Sequence, residues 1–407
     1  MEKIMTSSWK NENWWVSHFN FKEEVTKQFH IPHKVELHDA TLRDGEQTAG
    51  VVLKPEEKVE IARRLGEAGV HRIEAGMPAV SEQDRKAIAD IKKLGLDSKI
   101  FGFVRAKEED IHMCLECGVD GVIIELPIGK PKLDLQFNWS VDRVIESSIT
   151  AIKKAKELGL YTVFFPYDTT RADEADFEKL LTEVTAEALP DSVGIVDTMG
   201  CILPEATEYM VKFVKETTGG LPVEIHTHND FGLAVANSLR AVAAGAEVVH
   251  CCVNGMGERT GNAALEEVAA GIQMLYGKDI GIDIPKLMGL SELVEHYTNF
   301  PLAVNKPIVG TANFTRESGI GADTLLKHPL AMFALNPGYL GRQAKLVLGK
   351  KSGMTSINVR LQELQVTLDE EAKKQLLTDV KNMGIEKKRI LTDEEFVQLV
   401  KKYPVLQ

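Results

Sequence analysis

The chain has 407 residues, 44% of them hydrophobic and 27% charged, enough apolar content to bury a large core. Against 48 basic residues stand 60 acidic ones, a net charge of −12 that opposes generic attraction to nucleic acid or to an anionic membrane surface. No apolar run approaches the roughly 20 residues that span a bilayer and the N-terminus shows no signal-peptide h-region, so a cytoplasmic location is expected.

Residues 1–33 read as an N-terminal arm. It is polar but carries Trp9, Trp14, Trp15, Phe19 and Phe21, which predicts a segment laid over a surface, where it would cover a subunit contact. From residue 34 to about 275, eight short β-branched or apolar runs alternate with longer amphipathic stretches: 35–38, 72–75, 100–104, 121–125, 161–165, 192–196, 223–226 and 247–251. Helices are predicted between them at 55–67, 81–93, 141–158, 175–188, 204–217 and 233–244, several closed by a glycine cap such as Gly69, Gly95 or Gly159. Eight β-α units over about 240 residues have the size and rhythm of a (β/α)₈ barrel. A doubly wound open sheet competes, but no Gly-x-Gly-x-x-Gly turn follows the first strand.

Five cysteines, Cys114, Cys117, Cys201, Cys251 and Cys252, are few and odd in number, which suits a reducing compartment. Cys114 and Cys117 have the spacing of a redox or zinc pair, yet they fall in a helical pattern over 108–117, where i and i+3 share a face. Packing is the expectation there, since nothing supplies the second pair that a structural zinc needs. Past residue 275 the pattern changes. Residues 276–345 read as a linker or lid subdomain and 346–407 as a small helical C-terminal subdomain, with charged helices at 369–387 and 392–402.

A barrel places catalytic groups at the C-terminal ends of its strands. The polar turns fall there: Asp39-Ala40-Thr41-Leu42-Arg43-Asp44-Gly45-Glu46-Gln47 after the first run, Glu74-Ala75-Gly76 after the second, Asp197-Thr198-Met199-Gly200 after the sixth, His226-Thr227-His228 after the seventh, and residues 254–262 after the eighth. Residues i and i+2 of a strand share a face, so His226 and His228 can turn two imidazoles toward one metal ion. An Asp, two His and an amide oxygen at one barrel mouth would hold a divalent metal and leave positions open for substrate. Arg43 beside Asp44 would add a positive charge suited to an enolate or alkoxide; alternatively the two form a buried pair knitting the rim.

These residues resemble a known family. Residues 39–47, 73–78, 226–236 and 254–262 resemble the signatures of the DRE-TIM metallolyases, specifically the 2-isopropylmalate, homocitrate and citramalate synthases, and residues 307–319 and 340–353 resemble the linker subdomains of those enzymes. The resemblance implies a divalent ion, Mg, Mn or Zn, held by Asp44, His226, His228 and Asn262. It implies catalytic roles for Arg43 and Glu74, a 2-oxo acid lined by Gln47, Arg105 and Thr198, and condensation with an acyl-CoA, acetyl-CoA foremost. It also implies a homodimer in which the linker of one subunit reaches over the barrel of the other.

Four departures bear on the chemistry. The linker's Gly-Ile-His stretch reads Gly319-Ile320-Gly321, and its tyrosine is replaced by Met332, so both proton-handling groups of the lid are missing. At the end of the fifth strand a Ser-x-Glu reads Phe165-Pro166-Tyr167, and the histidine after the fourth strand becomes Lys132. Tyr167 is therefore a candidate catalytic base, and Arg105, Arg171 and Lys132 together suggest a dicarboxylic or otherwise anionic oxo acid. The alternative activity is cleavage of a carbon–carbon bond next to a carbonyl by a lyase or aldolase of the same fold; a non-catalytic relative would have no need to keep all four metal ligands.

Overall fold

The structure, a computed structural model, describes residues 8–319 and 321–406; Ile320 of the altered linker stretch lies outside them. Eight parallel strands close into a barrel in chain order: β1 (Glu36–Asp39), β2 (Arg72–Glu74), β3 (Lys99–Arg105), β4 (Gly121–Pro127), β5 (Tyr161–Tyr167), β6 (Ser192–Asp197), β7 (Val223–Thr227) and β8 (Val248–Cys251). Closure is made by β8 against β1, from Glu36 opposite Val248 to Asp39 opposite Cys251. The (β/α)₈ expectation is borne out, and each of the eight runs read from the sequence became a strand.

The crossover helices form where the apolar spacing places one buried stripe against the sheet. Pro55–Glu67 buries Ile61, Ala62 and Leu65, and Val141–Glu157 buries Val144, Ile145, Ser148, Ala151, Ile152 and Ala155. Proline at the first turn of Pro55–Glu67 and of Pro204–Thr217 sets the starting φ where no backbone donor is needed. After the first of these helices the chain turns at Gly69 with φ +82°, and a Cβ there would stand 2.5 Å from the Gly281 carbonyl oxygen. Cys114 and Cys117 are free and buried, as packing residues.

Inside the barrel the inward-facing positions divide by chemistry. On β3 to β6 they are mostly apolar, Glu125 and Ser192 apart: Phe101, Phe103, Ile123, Val163, Phe165 and Val196 form one cluster, with Met77, Tyr161 and Tyr167 against it. On β1, β2, β7 and β8 the residues His38, Glu74, Glu224, His226 and His250 are all buried. Buried charge persists only when paired. Arg72 donates from Nε to Glu36 at 2.5 Å and from Nη1 to Glu224 at 2.9 Å, while Ser192 Oγ and His250 Nε2 complete the Glu224 carboxylate at 2.6 and 2.7 Å. This network pairs the buried charges of the lower lumen, while His250 Nδ1 and both ring nitrogens of His38 are left without a hydrogen-bond partner.

Helix Ile284–Thr298 buries Ile284, Leu287, Met288, Leu290 and Val294 and packs on Pro55–Glu67, so this stretch of the expected linker is part of the barrel unit, His18–Leu302. The second compact unit joins Ala303–Gln407 to the described N-terminal residues up to Ser17. Its core gathers Leu348, Ile357, Leu361, Leu376, Val380, Phe396 and Leu399 from helices Met354–Glu363, Glu370–Lys387 and Asp393–Val400 and the segment before them. The aromatic arm lies on this unit: Trp14 bridges Leu335, and the Trp15 amide donates to the Ala334 carbonyl at 2.8 Å. The start of the arm therefore covers the C-terminal part of its own chain.

Candidate metal centre and active site

β1 ends at Asp39, whose carboxylate accepts from the Thr41 amide and hydroxyl, and the chain turns so that Arg43 and Asp44 meet β7 over the lumen. Asp44 Oδ2 lies 3.3 Å from His226 Nε2 and 3.7 Å from His228 Nε2, and the two ring nitrogens are 3.3 Å apart. Beyond β7, His228 forms an isolated antiparallel bridge with Asn262. The Asn262 amide nitrogen donates to the Met256 carbonyl at 3.0 Å, which leaves its Oδ1 to face elsewhere. Both Asn262 Oδ1 and Asp44 Oδ1 are buried with no hydrogen-bond partner. Orphaned buried oxygens beside two convergent imidazoles fit a divalent cation, since burying unpaired acceptors otherwise costs about 1–3 kcal/mol each. Gly257 keeps this space clear: at φ +148°, a Cβ would stand 2.2 Å from the Asn262 amide nitrogen and 3.1 Å from Asp44 Oδ1.

Protonation states suit ligation. Burial lowers both histidines, His228 to about 4, so each ring is neutral near pH 7. Burial raises the Asp44 carboxyl, but Arg43 and the two histidines outweigh it and hold it well below the usual carboxylate range. The rings are set by packing: Phe165 and His250 stand edge-on to His226, with centroids 5.5 Å away in each case.

Arg43 is held on four sides. Its Nε donates to Glu74 Oε1 at 2.5 Å, its Nη1 donates to Asp44 Oδ2 at 3.1 Å and to Gln47 Oε1 at 3.2 Å, and its guanidinium lies 4.2 Å from the Phe103 ring centroid. Burial works against Glu74, yet Arg43 and His38 bring its carboxyl down to about 2. The arginine is thus a fixed cation next to the cluster, and the rim-pair alternative is absorbed into it. Arg43 and Gln47 also line a cleft of about 370 Å³ with Leu42 and Met77.

The remaining sequence candidates differ in what holds them. Arg105 donates from Nε and Nη2 to Asp110, at 2.7 and 2.9 Å, and Arg171 from Nε and Nη2 to Asp168, at 2.8 and 2.6 Å. Each guanidinium is thus paired by a neighbouring carboxylate. Lys132 donates to Gln136 at 3.1 Å. Thr198 Oγ1 accepts from the Asp168 amide at 2.7 Å, tying the β5 and β6 ends together. Tyr167 closes the aromatic half of the lumen; burial, with Glu125 and Asp168 beside it, raises its hydroxyl far above neutrality, which makes it a poor base.

The sequence reading passed over Glu125, His38, Glu224 and His250. For Glu125 a signal existed: in Gly121-Val122-Ile123-Ile124-Glu125 it stands two residues after Ile123, on the same face, at the mouth end of the run. For the others, nothing local separates an inward-facing histidine or glutamate from an outward one.

Comparison with known proteins agrees with this geometry. The HMGL-like family profile matches residues 34–294, and the homocitrate synthase post-HMGL domain-like profile matches 308–388. The chain is 37% identical to homocitrate synthase AksA of Methanothermobacter thermautotrophicus over 95% of its own length and 97% of that protein. It is 38% identical to 2-isopropylmalate synthase of Methanocaldococcus jannaschii over 93% of its length and 73% of that protein. Among solved structures, hydroxymethylglutaryl-CoA lyase from Pseudomonas aeruginosa superposes with a TM-score of 0.61 at 20% identity, covering 69% of this chain and 98% of that one, a likeness of fold. With its barrel, its ligand cluster and relatives of this similarity along nearly its whole length, the chain belongs to the HMGL-like family, in the DRE-TIM group with the homocitrate, 2-isopropylmalate and citramalate synthases.

Proposed function

We propose that the chain is an acyltransferase that condenses an acyl-CoA, with acetyl-CoA the expected donor, with a 2-oxo acid to give a 2-hydroxy-2-alkyl dicarboxylic or tricarboxylic acid. The observation that carries this reading is the convergence of Asp44, His226, His228 and the unpaired Asn262 oxygen beside the immobilised Arg43. A divalent ion bound by those four residues would polarise the keto group of a 2-oxo acid. Arg43, already anchored on Glu74 and needing no reorganisation, would face the negative charge that develops as the carbon–carbon bond forms. Membership of the synthase group supports a homodimer as the working assembly, and among the described residues no helix is long and apolar enough to cross a membrane. Carbon–carbon cleavage, the other reading, draws on the fold likeness to a lyase alone.

The test is thiol release from acetyl-CoA by the Mg- or Mn-loaded protein with pyruvate, 2-oxoisovalerate, oxaloacetate, 2-oxoglutarate and phosphonopyruvate in turn, with Asp44→Ala as blank. Release with one acid, lost in the variant, supports the synthase and names its acceptor. Silence across the panel with metal bound sinks it.

A further inference from the structure

Any such condensation needs a base for the donor's α-proton, and Gly321 and Met332 stand where the resemblance to the synthases implies a lid histidine and tyrosine. Neither side chain can accept a proton. Tyr167 does not replace them, because its hydroxyl stays protonated at neutral pH. Among the carboxylates at the strand ends, Glu125 is placed differently from those already described. Glu125 sits on β4 opposite Arg105 on β3 and Phe165 on β5, and strand alternation turns it to the face of Ile123, into the mouth. It is partly exposed there, within electrostatic reach of Arg43, Asp44, Glu74 and Glu258, and it adjoins Tyr167. Among the described residues no hydrogen bond or ion pair ties its carboxyl, unlike Glu74 and Glu224 in the same lumen. A structural glutamate in such a place would be paired; one left unpaired at the C-terminal ends of the strands is free to meet substrate.

Resting on the acyltransferase reading above, we propose that Glu125 is the catalytic acid–base of this enzyme. The Glu125 carboxylate takes a proton from the α-carbon of the acyl-CoA, and the C–H electron pair becomes the enolate double bond. The enolate carbon then bonds to the keto carbon of the 2-oxo acid, whose π pair moves to oxygen as an alkoxide beside Arg43. The proton on Glu125 passes to that oxygen, and water afterwards cleaves the thioester to free the CoA thiol. Burial, with the nearby Asp44, Glu74 and Glu258 outweighing Arg43, raises the Glu125 carboxyl above the usual carboxylate range.

The test follows exchange of the acetyl methyl protons of acetyl-CoA in D₂O by NMR, in the metal-loaded protein with the oxo acid that supports thiol release, for wild type, Glu125→Gln and Tyr167→Phe. Metal content and thermal stability are checked in parallel. Glu125→Gln is expected to keep metal and fold while exchange and thiol release fall about 10²- to 10⁴-fold, with Tyr167→Phe within a few-fold of wild type. Exchange by Glu125→Gln at the wild-type rate overturns the assignment and leaves the acyltransferase standing. Loss of exchange in Tyr167→Phe alone moves the role to the phenol and also overturns it. A wild type that neither exchanges nor releases thiol overturns both readings together.

Discussion

Arg43 and Glu74 are bound by two parallel hydrogen bonds across the β1 and β2 ends, from Nε to Oε1 at 2.5 Å and from Nη2 to Oε2 at 3.4 Å, while the same guanidinium also donates to Asp44. A lysine has one nitrogen and cannot span Glu74, Asp44 and Gln47 together. Arg43→Lys is therefore expected to bind metal normally and to lose about 10²- to 10³-fold in kcat, with a smaller change in KM. An equal loss in metal content would place Arg43 with the ligands instead.

Glu74 carries a pH signature. Its carboxyl falls from 4.5 to about 2 in the fold, a depressed acid, so its stabilisation is fully present above pH 4.5 and is lost as pH falls toward about 2. The full amount is on the order of 3 kcal/mol. Glu74→Gln should lower stability at pH 7 but flatten the acid limb between these values, read by far-UV circular dichroism; an unchanged acid limb contradicts the pairing.

Gly257 gives a way to disturb the metal centre without removing a ligand. A methyl at this position meets the Asn262 amide and, at φ +148°, also strains the backbone. Gly257→Ala should weaken metal binding about 10- to 100-fold, as loss of a group that orients ligands does. In thermal melts, wild type should gain about 2.7 kcal/mol at a free metal concentration of 100 times Kd, and the variant much less at that same concentration.

The buried pair beneath the site should matter for folding. Arg72 is the only guanidinium on Glu224 among the described residues, and Arg72→Met leaves that carboxylate buried with only Ser192 and His250. The expected cost is about 3–5 kcal/mol, and Arg72→Met/Glu224→Gln should recover much of it. Denaturant midpoints of the two variants decide the matter.

Restoring a lid side chain meets a local constraint. Gly321 has φ +76°, and a Cβ there would stand 2.2 Å from the Met332 methyl. The methyl is the free end of a flexible side chain and can swing aside, so the left-handed backbone sets the cost. Gly321→His should lose about 1–2 kcal/mol, and adding Met332→Ala should return only a minor part of it. Full recovery in the double variant would show that contact, and not φ, is limiting.

What was legible in the sequence is what repeats at short range. Alternating apolar runs and helical stripes gave eight strands and helices such as Pro55–Glu67 and Pro204–Thr217 at the expected places, because burial of one face is encoded every second or every third to fourth residue. The strand period also explains how His226 and His228 could be paired from the sequence, while Asp44 and Asn262 came from the resemblance of the turns at 39–47 and 254–262 to the synthase signatures. Only the tertiary structure decided which charges meet. The Arg105–Asp110 and Arg171–Asp168 pairs are local, five and three residues apart, but that Glu125 is left unpaired at the mouth and that β1, β2, β7 and β8 line the lumen with a buried ionic network follow from barrel closure. Closure brings residues as distant as Arg72 and Glu224 within hydrogen-bonding range, and no local pattern records which inward-facing group will stand opposite which.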